Sequence, residues 1–152
     1  MRQTIGNTFI INLVITFTLL FSAFLALAIT YNKIFKMKNE VISIIEKYEG
    51  MNSKSNTIIN NYFDYIGYKT TFYCPKELYE DNNYVYGITS DGNIETAEQS
   101  KKYKMCFYKV RTDNENIKKY TYNIVVFYKF DIPVLGELTT FNITGETKTI
   151  IE

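Results

Sequence analysis

Cys74 and Cys106 are the two cysteines of the chain, and thiol chemistry is the first reaction its side chains offer. Each lies in a β-rich run, so they either pair with each other or stay as two free thiols. Two cysteines allow one pairing, and a bridge between these would tie an early strand to the C-terminal strands. Closing that loop would stabilise the fold by about 3–4 kcal/mol in the chain-entropy model, and the expectation is a Cys74–Cys106 disulfide. Other chemistry is thin. Histidine is absent, which removes the commonest general base and metal ligand, and two cysteines alone cannot close a zinc site. Asp91, Asn93 and Glu95 alternate around Gly92, but a calcium loop needs more ligands and a bidentate terminal Glu, so Ser90-Asp91-Gly92 reads as a β-turn. Glu77, Glu80 and Asp81 read as a solvated acidic loop, and Lys101, Lys102 and Lys104 as a solvated basic one. No serine sits in a GxSxG-type motif. Asn142-Ile143-Thr144 matches the glycosylation pattern, a match that chance often produces. The expectation is a chain that is not an enzyme and takes no cofactor and no metal.

Charge points the same way. The 152 residues carry 17 Lys+Arg against 16 Asp+Glu, so no single-sign field exists to hold nucleic acid. Tyrosine and phenylalanine are abundant, which suits strands.

The elements that position these residues begin with an anchor. No residue from Thr8 to Thr30 is charged, and that stretch exceeds the about 20 residues a membrane span needs. It is too long for a typical signal-peptide core, although Ala26-Leu27-Ala28 has the small-x-small look of a cleavage site. After it, Tyr31, Ile34, Phe35, Val41, Ile42, Ile45 and Tyr48 recur at helical spacing among polar residues, with no Gly or Pro before Gly50, the expected stop. One helix from about residue 8 to 49 would measure roughly 60 Å. The expected organisation is a cytoplasmic tail over 1–7, a transmembrane helix over 8–30, its amphipathic continuation over 31–50, and an extracytoplasmic α+β domain over 51–152.

Within the span, Thr18, Ser22, Ala26 and Thr30 step every fourth residue, and Thr8, Asn12 and Thr16 make a more polar row. Such small-residue ridges permit close helix approach, and an Asn can bond across an interface. Asn12, Thr18, Ser22, Ala26 and Thr30 are therefore the candidate helix-association residues. The alternative is that the hydroxyls bond back to their own helix. Flanking charge, Arg2 before the span against Lys33, Lys36 and Lys38 after it, slightly favours a cytoplasmic domain, whereas the cysteines favour the outside.

Past a polar connector over 51–56, residues 57–66 read as a short helix ended by Gly67, and 68–74 as a strand ended by Pro75. Residues 84–89 and 93–96 pair as a hairpin. Residues 103–110, 120–130 and 138–151 form an antiparallel meander, with turns at Asp113–Asn116 and at Pro133 with Gly136. In the middle strand, Tyr120, Tyr122, Ile124, Val126, Tyr128 and Phe130 share the face expected to meet the core. Thr121, Asn123, Val125, Phe127 and Lys129 share the other. The amphipathic half of the long helix should cover the first face.

A long N-terminal helix, apolar then amphipathic, followed by an antiparallel meander resembles the pilin architecture. It looks most like the small pilin-like proteins of tight-adherence (Tad, Flp-type) pilus loci in Gram-positive bacteria. Gly6-Asn7-Thr8-Phe9, the helix through Tyr31-Asn32-Lys33 to Glu49-Gly50, and Phe130-Asp131-Ile132-Pro133-Val134-Leu135-Gly136 carry the resemblance. It implies processing at Gly6, a domain outside the cytoplasm, and partnership with membrane lipid and with other pilin-like or pilus-assembly proteins in an oligomer or hetero-complex. Pilins commonly carry Glu five residues after the processed Gly. Here that position is Ile11, which points to a minor or accessory subunit.

Overall fold

A computed structural model describes residues 2–79, 84–111, 119–132 and 136–151. The turns expected at Asp113–Asn116 and Pro133, the acidic residues Glu80 and Asp81, and the Pro133-Val134-Leu135 motif lie outside the described residues.

Helix α1 runs without interruption over Arg2–Lys47, because no Gly or Pro between Thr8 and Lys47 interrupts its backbone hydrogen bonds. It ends where Gly50 N–H bonds Ile45 C=O (2.9 Å) and Glu49 N–H bonds Glu46 C=O (3.2 Å). This is the Schellman pattern, in which one residue turns left-handed. The expected stop at Gly50 needs a correction here: the left-handed residue is Glu49, at φ 55°. Gly50 follows at φ 125°, and a Cβ on it would come within 2.9 Å of the Tyr122 hydroxyl.

Helix α2, Ser53–Tyr65, starts earlier than the expected residue 57 because Asn52 caps it. The Asn52 side chain accepts from the Lys54 and Ser55 amides at 3.0 Å each. Ser55 Oγ accepts from Asn52 N–H at 2.8 Å, closing a reciprocal box.

The strands are β1 (Phe72–Tyr73), β2 (Val85–Ile88), β3 (Ile94–Thr96), β4 (Lys102–Tyr103), β5 (Met105–Arg111), β6 (Lys119–Ile132), β7 (Gly136–Glu146) and β8 (Ile150–Ile151). The main antiparallel sheet has the order β3-β2-β5-β6-β7, and β8 also pairs with β6. The expected meander is its β5–β6–β7 part, and the expected hairpin extends it through β2 and β3. The expected last strand is interrupted. At Thr147 the backbone leaves the ladder, and both its N–H and its hydroxyl bond the Tyr122 backbone, at 3.0 and 2.9 Å. β8 then rejoins the same edge of β6.

The core confirms α1 as the cover and enlarges it. Ile34, Met37, Val41, Ile44 and Ile45 of α1 meet Ile59 and Phe63 of α2 and Ile88, Met105, Phe107, Ile124 and Val126 of the sheet. Met37 and Ile44 join the stripe, whereas Tyr31 and Phe35 stay exposed. The expectation of one apolar sheet face needs correcting. Val125 and Phe127, assigned to the outer face, are buried with Cys74, Val85, Ala97, Tyr103 and Cys106 in a second core on the far side.

Helix α1 lies lengthwise along β6. Thr30 and Lys33 stand beside Lys129, and Gly50 stands beside Tyr122. From Lys33 to Lys47 the helix rises about 21 Å, and from Lys129 to Tyr122 the strand rises about 24 Å. The approach is close because Gly145 on β7 has no side chain. A Cβ there would sit 2.7 Å from the Ile42 Cδ1 and 2.8 Å from the Lys38 Cδ.

Candidate functional site

The first half of α1 is the feature that the rest of the fold leaves open. Its large apolar side chains, among them Phe9, Phe17, Leu20 and Ile29, are exposed, each about two-thirds so (68%, 67%, 66% and 68%). None of its most apolar 18-residue stretch is buried. An exposed apolar surface of this extent needs a non-aqueous environment or a partner. The helix is long and apolar enough to cross a membrane, with about 30 Å of hydrocarbon to span.

The candidate association residues behave in two ways. Thr18 Oγ1 donates to Val14 C=O at 2.8 Å, and Ser22 Oγ donates to Leu19 C=O at 2.9 Å. Both hydroxyls are thus satisfied within their own helix, and they contribute small volume rather than free donors. Ala26 and Thr30 are half-buried, while Asn12, Thr18 and Ser22 are exposed. Asn12 lies in a shallow apolar groove with Phe9, Leu13, Thr16, Phe17 and Leu20. Its carboxamide bonds no other described residue.

The ridge is not a straight line. At about 100° per residue, each four-residue step drifts by about 40°, so Thr30 stands about 120° around the helix from Thr18. Asn12 shares the azimuth of Thr30, and Met37 and Val41 fall within about 20° of it. The polar position in the span therefore faces the same side as the stripe that holds the domain. Gly6 lies within α1, in its first two turns.

Cys74 and Cys106 form a disulfide, with Cα atoms 5.8 Å apart. Its surroundings explain its position. Cys106 lies opposite Gly87 and Val125 in the sheet. The Tyr103 ring packs directly on Gly87, where a Cβ would overlap it. Cys74, just after β1, reaches over this second face. The bridge fastens the β1–β4 flap to the main sheet.

Tyr68 has a role that the sequence did not suggest. Expected at the start of a strand, it instead sends its side chain into the core beside Phe63, at a ring separation of 4.9 Å. Its hydroxyl lies 2.6 Å from Phe127 C=O and 3.0 Å from Lys104 C=O, and accepts from Phe127 N–H at 3.1 Å. It takes the place of a ladder bond just before β5 begins beside β6. Burial pushes its phenol well above the ordinary tyrosine range, and the bond to Phe127 only partly opposes this. The usable signal was general: a buried Tyr needs a hydroxyl partner.

The remaining candidates are occupied locally. Asp91 and Asn93 shape the β2–β3 turn, where Thr89 N–H bonds Asn93 C=O at 2.9 Å. Glu95 Oε1 takes the Tyr103 hydroxyl at 3.1 Å and Lys101 Nζ at 3.4 Å. Lys101 also pairs with Glu98 at 3.1 Å. These bonds, Glu98 foremost, raise the ammonium pKa. The Lys102 ammonium lies over the Tyr73 ring. Asn142 and Thr144 are exposed on β7. A comparison of the chain with family models, curated proteins and solved structures finds no match.

Proposed function

We propose that the chain is a non-enzymatic, pilin-like minor subunit or assembly factor of a surface pilus or secretion filament in a Gram-positive bacterium. In this reading α1 anchors it in the cell membrane and the domain lies outside the cytoplasm. The observation that carries the reading is the unbroken α1, exposed and apolar at one end and seated in the domain core at the other. Such a helix rigidly couples whatever it meets in the membrane to the orientation of the sheet. The Cys74–Cys106 bridge supports the extracytoplasmic placement, since disulfides persist in oxidising compartments. The partner would be another membrane helix, met through Asn12 and the small residues Ser22 and Ala26.

Cross-linking in native membranes tests this. Ser22→Ile with Ala26→Ile should abolish higher-order species while leaving membrane insertion intact, because Ile is at home in lipid. Asn12→Leu should act more weakly, since one interhelical hydrogen bond contributes about 0.6–2 kcal/mol. N-terminal sequencing would report processing at Gly6. A second reading, a single-pass extracytoplasmic module that binds a ligand or protein, is favoured by the Thr18 and Ser22 hydroxyls bonding within their own helix, as in a lone span. Unchanged cross-linking in the double variant would make that reading the leading one.

A further inference from the structure

Where α1 leaves the apolar stretch, the fold gathers cations from three separate segments. A cleft of about 240 Å³ opens between α1, the end of α2 and β6, and Lys33, Lys69 and Lys129 stand around it with Thr30 and Thr70. Its floor is apolar, formed by Ile34, Met37 and the ring of Tyr68. Among the described residues no carboxylate lines it. Lys33 and Lys69 are exposed and have no ion-pair partner among the described residues. At the end of α2 the carbonyls of Tyr62, Phe63 and Asp64 already accept backbone N–H groups.

The height of the cleft identifies its occupant. Thr30 closes the uncharged stretch, Lys33 lies about 4.5 Å further along the axis, and Met37 about 10 Å. A bilayer's polar layer extends roughly 5–8 Å beyond each face of its hydrocarbon core. The ammonium groups of Lys33 and Lys69 and two hydroxyls at that level match a phosphate that is itself fixed there. The apolar floor suits the glycerol and first methylenes that such a phosphate carries.

We propose that this cleft binds the phosphate of an anionic phospholipid, with Lys33 and Lys69 as its cationic wall and Thr30 and Thr70 as hydroxyl donors. The proposal rests on α1 spanning the membrane. It does not depend on which side the domain occupies or on whether the chain enters a filament. Bound there, one lipid fixes both the depth of α1 and the height of the domain above the bilayer. Leaving the membrane then requires this contact to break.

Native mass spectrometry of the full chain from neutral detergent, with phosphatidylglycerol or phosphatidylcholine added, tests the proposal. The expected result is preferential retention of phosphatidylglycerol, reduced about fivefold for each lysine removed in Lys33→Gln and in Lys33→Gln/Lys69→Gln. Lys47→Gln/Lys54→Gln, which leaves the cleft intact, should retain the lipid fully. Equal loss in both double variants would assign the effect to general charge and overturn the site. Binding of inorganic phosphate with no preference between the two lipids would assign it to a free anion and overturn the lipid. Carbonate extraction of cell membranes is the separate control. If the chain is released as a peripheral protein, the anchor reading fails. If it is retained but shows no lipid preference, only the cleft proposal fails.

Discussion

The two halves of α1 have the same backbone and opposite surroundings. From Ile34 to Ile45 five side chains are fully or nearly buried against α2 and the sheet, while from Phe9 to Ile29 the large apolar side chains are all exposed. The difference lies in composition around the axis. The first half carries no charge from Thr8 to Thr30 and is apolar over most of its surface, which suits lipid, and the second is apolar on one stripe and polar elsewhere, which suits a sheet. Helix formation therefore says little about what a segment packs against. The distribution of its polar residues decides that.

Opposed charge substitutions should break this comparison most sharply. Val41→Asp puts a carboxylate into the core at a residue with 0% exposure, and should cost more than about 4 kcal/mol and unfold the domain. Val14→Asp should leave domain unfolding in detergent unchanged yet weaken insertion by about 3 kcal/mol. Thermal unfolding followed by near-ultraviolet dichroism, with a membrane-integration assay beside it, reads both.

Reducing the Cys74–Cys106 bridge is the next largest change. It should destabilise the domain by about 3–4 kcal/mol and raise hydrogen exchange first in β1 and β4, with α1 protected longer. Simultaneous loss of protection in α1 would show that the two cores are one cooperative unit.

Tyr68→Phe keeps the ring and leaves the Phe127 backbone without its hydroxyl partner, at a cost of about 1–3 kcal/mol. Its pH dependence has a definite sign. The folded phenol is held above its ordinary value of about 10, so its contribution is complete below that pH and is lost as pH rises above it towards the folded value. The variant should show a shallower loss of stability above about pH 10 in alkaline denaturation.

The smallest effect concerns the junction where α1 ends. Glu49 holds a left-handed conformation that glycine adopts without strain. Glu49→Gly should stabilise the domain by about 0.5–1 kcal/mol without altering membrane association. Urea titration resolves a shift of that size.

How much of this the sequence disclosed depended on the range of the interaction. The length of α1, the β2–β3 hairpin at Ser90-Asp91-Gly92 and the β5–β6–β7 meander follow from local periodicity and turn chemistry, and all were legible. The cysteine pairing was legible because only one pairing exists. Phe127 was not, because alternation tells which residues share a face but not whether something covers it. Met37 and Ile44 were left out of the helical stripe although they are buried at 1% and 7% exposure. Lys33 read only as a charge flanking the span, since its neighbours Lys69 and Lys129 come from elements far away in sequence. Gly145 carried a readable hint, because a glycine inside a strand often marks a close approach, but the hint did not name the helix that approaches.

The lengthwise seating of α1 on β6 and β7 has a mechanical consequence. Tension applied at the membrane end runs along the axis and meets Ile34, Met37, Val41, Ile44 and Ile45 together. The Lys38 and Ile42 side chains sit in the notch left by Gly145, and Glu46 grips the Lys148 N–H at 2.7 Å at the far end. These contacts are loaded in shear, side by side, rather than peeled one after another. A force that drew the helix out of the bilayer would carry the sheet with it intact.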